Sequence, residues 1–194
     1  MNRALQRDLS LLIPVFVAVL LGASTLGYWT GQRRGAVTAA GATVLGVLVL
    51  GGLRLGLTHI LDGSDVTWWS VITAAVLLFG VFVITLYGPL QRYREATTLL
   101  ILGGSSVGLG VFVGYVGGES SATGLAHGLL AGGISGLLVV LIATHQSFSM
   151  QPALTVIVLL SGVLAPLVFG FLCGLGGVIG GAVSGSVSAS FHIN

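Results

Sequence analysis

Few side chains in this sequence could carry chemistry. Its ionisable groups are seven arginines, with no lysine, five acids and four histidines among 194 residues. Arg54 and His127 fall within stretches apolar enough to cross a membrane. An ionisable group there is a candidate functional residue, because a charge in hydrocarbon must be paired or hydrated. Arg54 reads either as a partner for an anionic substrate or as a side chain that snorkels from near the end of its span to the interface. His127, one turn into its span, reads either as a proton-linked group or as an interfacial polar residue. These two are the chain's substrate-binding candidates. His59 and His145 sit at span ends, where an imidazole is easily hydrated, and His192 belongs to the tail.

The remaining groups do not assemble into a catalytic or metal-binding pattern. Asp62, Ser64 and Asp65, in LDGSDV, could hold a small cation, or form a solvated turn in which Asp65 caps a helix beginning at or just before Trp68. No two histidines share HxxxH spacing. The single cysteine, Cys173, excludes an intramolecular disulfide and a cysteine-only metal cluster. Within FGFLCGLGG it reads as a small hydrophobe in a helix interface. No nucleophile elbow with triad partners is evident, and no carboxylate pair lies within a span. The expectation is a protein that is not an enzyme, with no catalytic residue, no metal and no cofactor.

The elements that position these residues follow from composition. The chain is 55% hydrophobic and only 6% charged, against about 25% charged for an ordinary soluble domain. Most of its surface must therefore face lipid. No basic face is dense enough for nucleic acid. A span needs about 20 apolar residues, and six stretches qualify: Leu9 to Trp29, Gly35 to Leu57, Trp68 to Leu90, Thr98 to Gly118, Gly124 to Thr144, and one starting near Ala153. Trp29, Trp68, Trp69, Tyr87, Tyr93 and Tyr115 lie at or near span ends, as an interfacial aromatic belt requires. The last stretch carries no charge from Ala153 to Ser188 and contains Pro166. It reads as one long, tilted or kinked helix, or as a span to about Phe171 followed by a glycine-rich seventh helix over Gly174 to Val187. Arg3 and Arg7 before an apolar run resemble a signal peptide, but the run's length better fits a retained span. Arginines favour the first and third connectors on the cytoplasmic side by a margin of one.

Glycines recur at four-residue spacing, which places them on one helix face. The rows are Gly27, Gly31 and Gly35; Gly110, Gly114 and Gly118; Gly124, Gly128, Gly132 and Gly136; and Gly177, Gly181 and Gly185. A glycine face lets another backbone approach closely, and such contact drives helix association in lipid. The predicted role is helix packing; a small-residue-lined path or hinge is the rival. The chain also carries a weak internal repeat. An offset that places Gly27-Tyr28 on Gly114-Tyr115 also places Gly41 on Gly128, and Val81-Phe82 on Val168-Phe169. Halves 9–90 and 96–188 of three spans each would be inverted relative to one another, an architecture used by transporters.

The stretch GYVGGESSATGLAHGLLAGGISG runs from a span ending in Gly-Tyr, through a polar turn with Gly118 and Glu119, into a span opening GLxxGLLAGxxSG. With the ending GGVIGGAVSG, it resembles the uncharacterised glycine-rich multi-span membrane proteins of halophilic archaea. The likeness covers roughly the second half and is compositional. That family usually carries four spans, so six is a departure. The resemblance implies a multi-pass prokaryotic cell-membrane protein and no activity. The expected fold is an all-α polytopic transmembrane helix bundle, a single membrane domain over residues 1–194. The expected function is a tightly packed structural or assembly bundle in the lipid bilayer, self-contained, as a homo-oligomer or with a partner membrane subunit. The alternative is a small permease or channel for a small solute, built from inverted halves.

Overall fold

The computed structural model describes residues 33–60, 66–87, 95–146 and 154–191. They form five helices: α1 over Arg33–Ile60, α2 over Trp68–Tyr87, α3 over Glu95–Gly117, α4 over Ser121–Gln146 and α5 over Leu154–Phe191. No strand occurs among the described residues. Each helix contains a window long and apolar enough to cross a membrane, so the protein is an all-α helical bundle with at least five candidate spans. These helices match the second to sixth spans expected from sequence. The first, Leu9 to Trp29, lies outside the described residues.

The helix starts follow local chemistry. At α2 the Thr67 carbonyl accepts from the Ser70 and Val71 amides, and also from the Ser70 hydroxyl at 2.8 Å. Thr67 thus begins the helical ladder immediately before Trp68; Asp65, the expected cap, lies outside the described residues. At α4, Ser120 and Thr123 form a reciprocal cap. The Ser120 amide donates to Thr123 Oγ1 at 2.9 Å, and the Thr123 amide donates to Ser120 Oγ at 3.3 Å. This is the capping-box arrangement with threonine in the usual glutamate position.

The last helix decides between the two readings of the final apolar stretch in favour of one long helix. A break near Phe171 and a separate seventh helix are not found: α5 is one helix of 38 residues, with Pro166 inside it. At 1.5 Å per residue it is about 57 Å long, well beyond the roughly 30 Å of a hydrocarbon core. Proline removes one backbone donor, and glycine weakens helices in water. In an apolar medium, however, unpaired backbone groups have no water to bond, so the helix persists.

The chain divides into two compact units, residues 1–49 with 140–164 and residues 50–139 with 165–194. In the first unit, α1 and α5 approach closely: a Cβ at Gly162 would lie 2.8 Å from Ala42 Cα, and one at Gly41 would lie 3.1 Å from Leu159 Cδ2. Ala42 and Thr43 are fully buried there.

The second unit holds the larger core. On α2, Val71, Ala74, Leu78 and Phe82 share a face and are buried together with Val113 of α3, Leu130 and Ala131 of α4, and Cys173 of α5. α2 and α3 pack against one another. Phe82 and Phe169 stack in a tilted pair with ring centroids 4.4 Å apart, within the range of favourable aromatic contacts. Two buried hydroxyls in this unit bond back to their own helix. Thr85 Oγ1 donates to the Val81 carbonyl and Ser106 Oγ to the Leu102 carbonyl, each at 2.7 Å. That pattern lets a hydroxyl sit in an apolar interior without an external partner.

Candidate functional site

Two constructions in the second unit bring sequence-selected residues together. The first is a glycine contact centred on α5. From α4, the Cβ positions of Gly124, Gly128 and Gly132 meet the backbone carbonyls of Gly177, Cys173 and Phe169. Gly136 continues the row, where a Cβ would lie 2.6 Å from the Ala165 carbonyl oxygen and 2.9 Å from Pro166 N. Successive glycines of α4 thus meet successive turns of α5 in reverse chain order, so the two segments run antiparallel. From α3, the Cβ positions of Gly110 and Gly114 meet the carbonyls of Cys173 and Gly177. Separations below 3 Å leave no room for a side chain of any kind.

α5 answers with two glycine faces. Gly177 and Gly181 meet the carbonyls of Gly124 and Ser120, while Gly176 and Gly180 meet those of Val107 and Val111 on α3. Consecutive helical residues point about 100° apart. The doublets Gly176-Gly177 and Gly180-Gly181 therefore present one small-residue face to each neighbour. The row Gly177, Gly181, Gly185 chosen from spacing covers only the face toward α4. The signal for the other face was the doublet itself, GLGGVIGG, in which both members repeat after four residues.

The second construction surrounds His127, which is fully buried. Its Nδ1 lies 2.7 Å from the Thr123 carbonyl oxygen, one turn earlier on α4. Its Nε2 accepts from the Thr67 amide at 2.9 Å, immediately before α2. A backbone amide can only donate and a carbonyl can only accept. The ring is therefore the neutral tautomer with its proton on Nδ1. Gly117, the last residue of α3, makes space for it: a Cβ there would lie 2.6 Å from His127 Cδ2 and 2.8 Å from Ser70 Oγ. His127 thus ties the entry of α2 to α4 beneath the end of α3. Its sequence reading as an interfacial polar group understated its enclosure, and nothing in the local sequence announced Thr67 or Gly117 as partners.

Compared with protein families, curated proteins and solved structures, the chain matches none of them.

The other selected residues are dispersed. Arg54 is buried, with 7% of its surface exposed; this corrects the snorkelling reading. α1 continues to Ile60, so Arg54 lies almost two turns inside the helix and its side chain is covered by protein. Gly118 follows the end of α3, where its amide closes the last turn on the Gly114 carbonyl at 2.9 Å. A Cβ at Gly185 would reach the Glu119 carbonyl oxygen at 3.0 Å, in the turn between α3 and α4. Gly35 lies in the first turn of α1, and Gly27, Gly31, Asp62 and Asp65 lie outside the described residues. Cys173 is fully buried, with its backbone against two glycines and its Cβ close to the Gly132 position. Ser135 is also fully buried, and its Oγ has no hydrogen-bond partner.

Proposed function

We propose that this chain is a non-catalytic, multi-pass integral membrane protein of a prokaryotic cell membrane, whose role is structural. It is a bundle held by direct backbone contact rather than by a ligand or cofactor. The observation that carries this reading is the insertion of α5 between α3 and α4 over paired glycine faces. In lipid, apolar side chains gain little by leaving their surroundings, so helix association depends on close van der Waals contact. The contact is continuous over at least three turns of α4 and is made without charged side chains. A loose path lined by small residues would instead leave space at these Cβ positions.

The test is substitution in the full chain, purified in detergent and reconstituted in vesicles. Gly128→Leu and Gly132→Leu each push a side chain into a neighbouring backbone and should lower the thermal midpoint sharply or abolish folding. Overpacking of this kind costs about 1–3 kcal/mol per site, and more where backbone must move. Unchanged thermal stability and oligomeric state in both variants would refute the packing role. Vesicles containing the wild-type protein should pass small neutral solutes no faster than empty vesicles. Faster flux, lost on blocking or truncating the chain, would favour the permease alternative.

A further inference from the structure

We propose that His127 is an acid-sensitive latch: in its neutral form it holds the entry of α2 onto α4, and protonation releases it. This inference is independent of the glycine packing and rests on the imidazole's two hydrogen bonds. Nδ1 donates to the Thr123 carbonyl, and the Nε2 lone pair receives the Thr67 amide. Protonation converts Nε2 from acceptor to donor. Two N–H groups then face each other at a contact that has been 2.9 Å long, and the bond between α2 and α4 is lost. The first bond survives, because Nδ1 still donates to Thr123. The change is therefore confined to the α2 side.

The surroundings offer the ring little means to adjust. It is fully buried, with Ser70 on α2 and Gly117 on α3 bounding the same space. The Ser70 hydroxyl spends its proton on the Thr67 carbonyl at 2.8 Å, so only its oxygen lone pairs are left to meet the ring. α2 presents Thr67 and Ser70 and α3 presents Gly117, none of them charged. From α1, the charged group whose field reaches His127 is the buried Arg54. Protonation would thus bring a second positive charge into this interior. The contact is complete while the imidazole is neutral and is lost as pH falls through its titration. The residue set free is Thr67, immediately before α2.

The full chain in lipid nanodiscs tests this by amide exchange at Thr67 to Val71, corrected for intrinsic rates, together with the nitrogen-15 shifts of the His127 ring. At pH 7.5 the ring should show the Nδ1-protonated neutral tautomer. Between pH 7.5 and 4.5 it should acquire its second proton. Protection at Thr67 should fall by roughly tenfold or more over the same interval, while the amides of α5 remain protected. His127→Gln keeps an acceptor and a donor without titrating in this range, and its protection at Thr67 should be flat with pH. The proposal is overturned by a ring that stays neutral to pH 4.5, by protonation without loss of protection, or by the same pH dependence in His127→Gln. The wild-type measurements decide the matter alone if the variant does not fold.

Discussion

At the residue scale, two buried polar side chains with opposite circumstances give opposite expectations. His127 has both ring nitrogens bonded. Replacing it by leucine leaves the Thr67 amide without this acceptor, and losing a hydrogen bond of this kind costs about 0.5–1.5 kcal/mol. His127→Leu should therefore lower the unfolding midpoint in detergent, while His127→Gln should recover most of the loss. Ser135 has no partner for its hydroxyl. Removing an unbonded buried polar group relieves its desolvation. Ser135→Ala should be neutral or stabilising by up to about 1 kcal/mol. A clear destabilisation, read from the same melts, would show that this hydroxyl is engaged. Composition made the scarcity of such groups legible. Which of them is satisfied depended on a partner sixty positions away in the chain, and spacing carries no trace of it.

At the element scale, the glycines separate into those with a neighbour and those without. Gly176 and Gly180 abut α3, and Gly177 and Gly181 abut α4 and the residue that caps it. Gly52 and Gly56 of α1, also four apart, meet nothing within 4 Å at their Cβ positions. Alanine at Gly177 or Gly180 should destabilise the bundle by about 1–3 kcal/mol, since the added methyl meets backbone that cannot turn aside. Alanine at Gly52 or Gly56 should be neutral or stabilising, because alanine is the better helix former by about 1 kcal/mol in water. Equal melting shifts for the two pairs would remove the distinction. The sequence shows both pairs as the same GxxxG pattern, so spacing alone does not separate a contact face from an open one. What separates them is the tertiary neighbour. The helices themselves were readable within a few residues from apolar length. The absence of charge from Ala153 to Ser188 made one long α5 readable, while Pro166 and the many glycines, whose breaker propensities are measured in water, kept a break near Phe171 open as the rival.

At the scale of the whole molecule, the close approach of α3, α4 and α5 makes the single thiol a reporter of that assembly. Cys173 sits where the glycine rows of α3 and α4 both reach α5, and it is fully buried. A maleimide can reach the sulfur only after α5 separates from at least one neighbour. In the folded protein the thiol should label at least about a hundredfold more slowly than in the denatured chain, the ratio measuring the free energy of opening. Gly128→Leu should raise the folded-state rate before the helical content changes, because it forces α4 away from the carbonyl of Cys173 itself. Gly56→Ala should leave the rate alone. Rapid labelling of the wild type at full helicity would mean that the three helices part readily, and a bundle of that kind could not owe its stability to contact between their backbones.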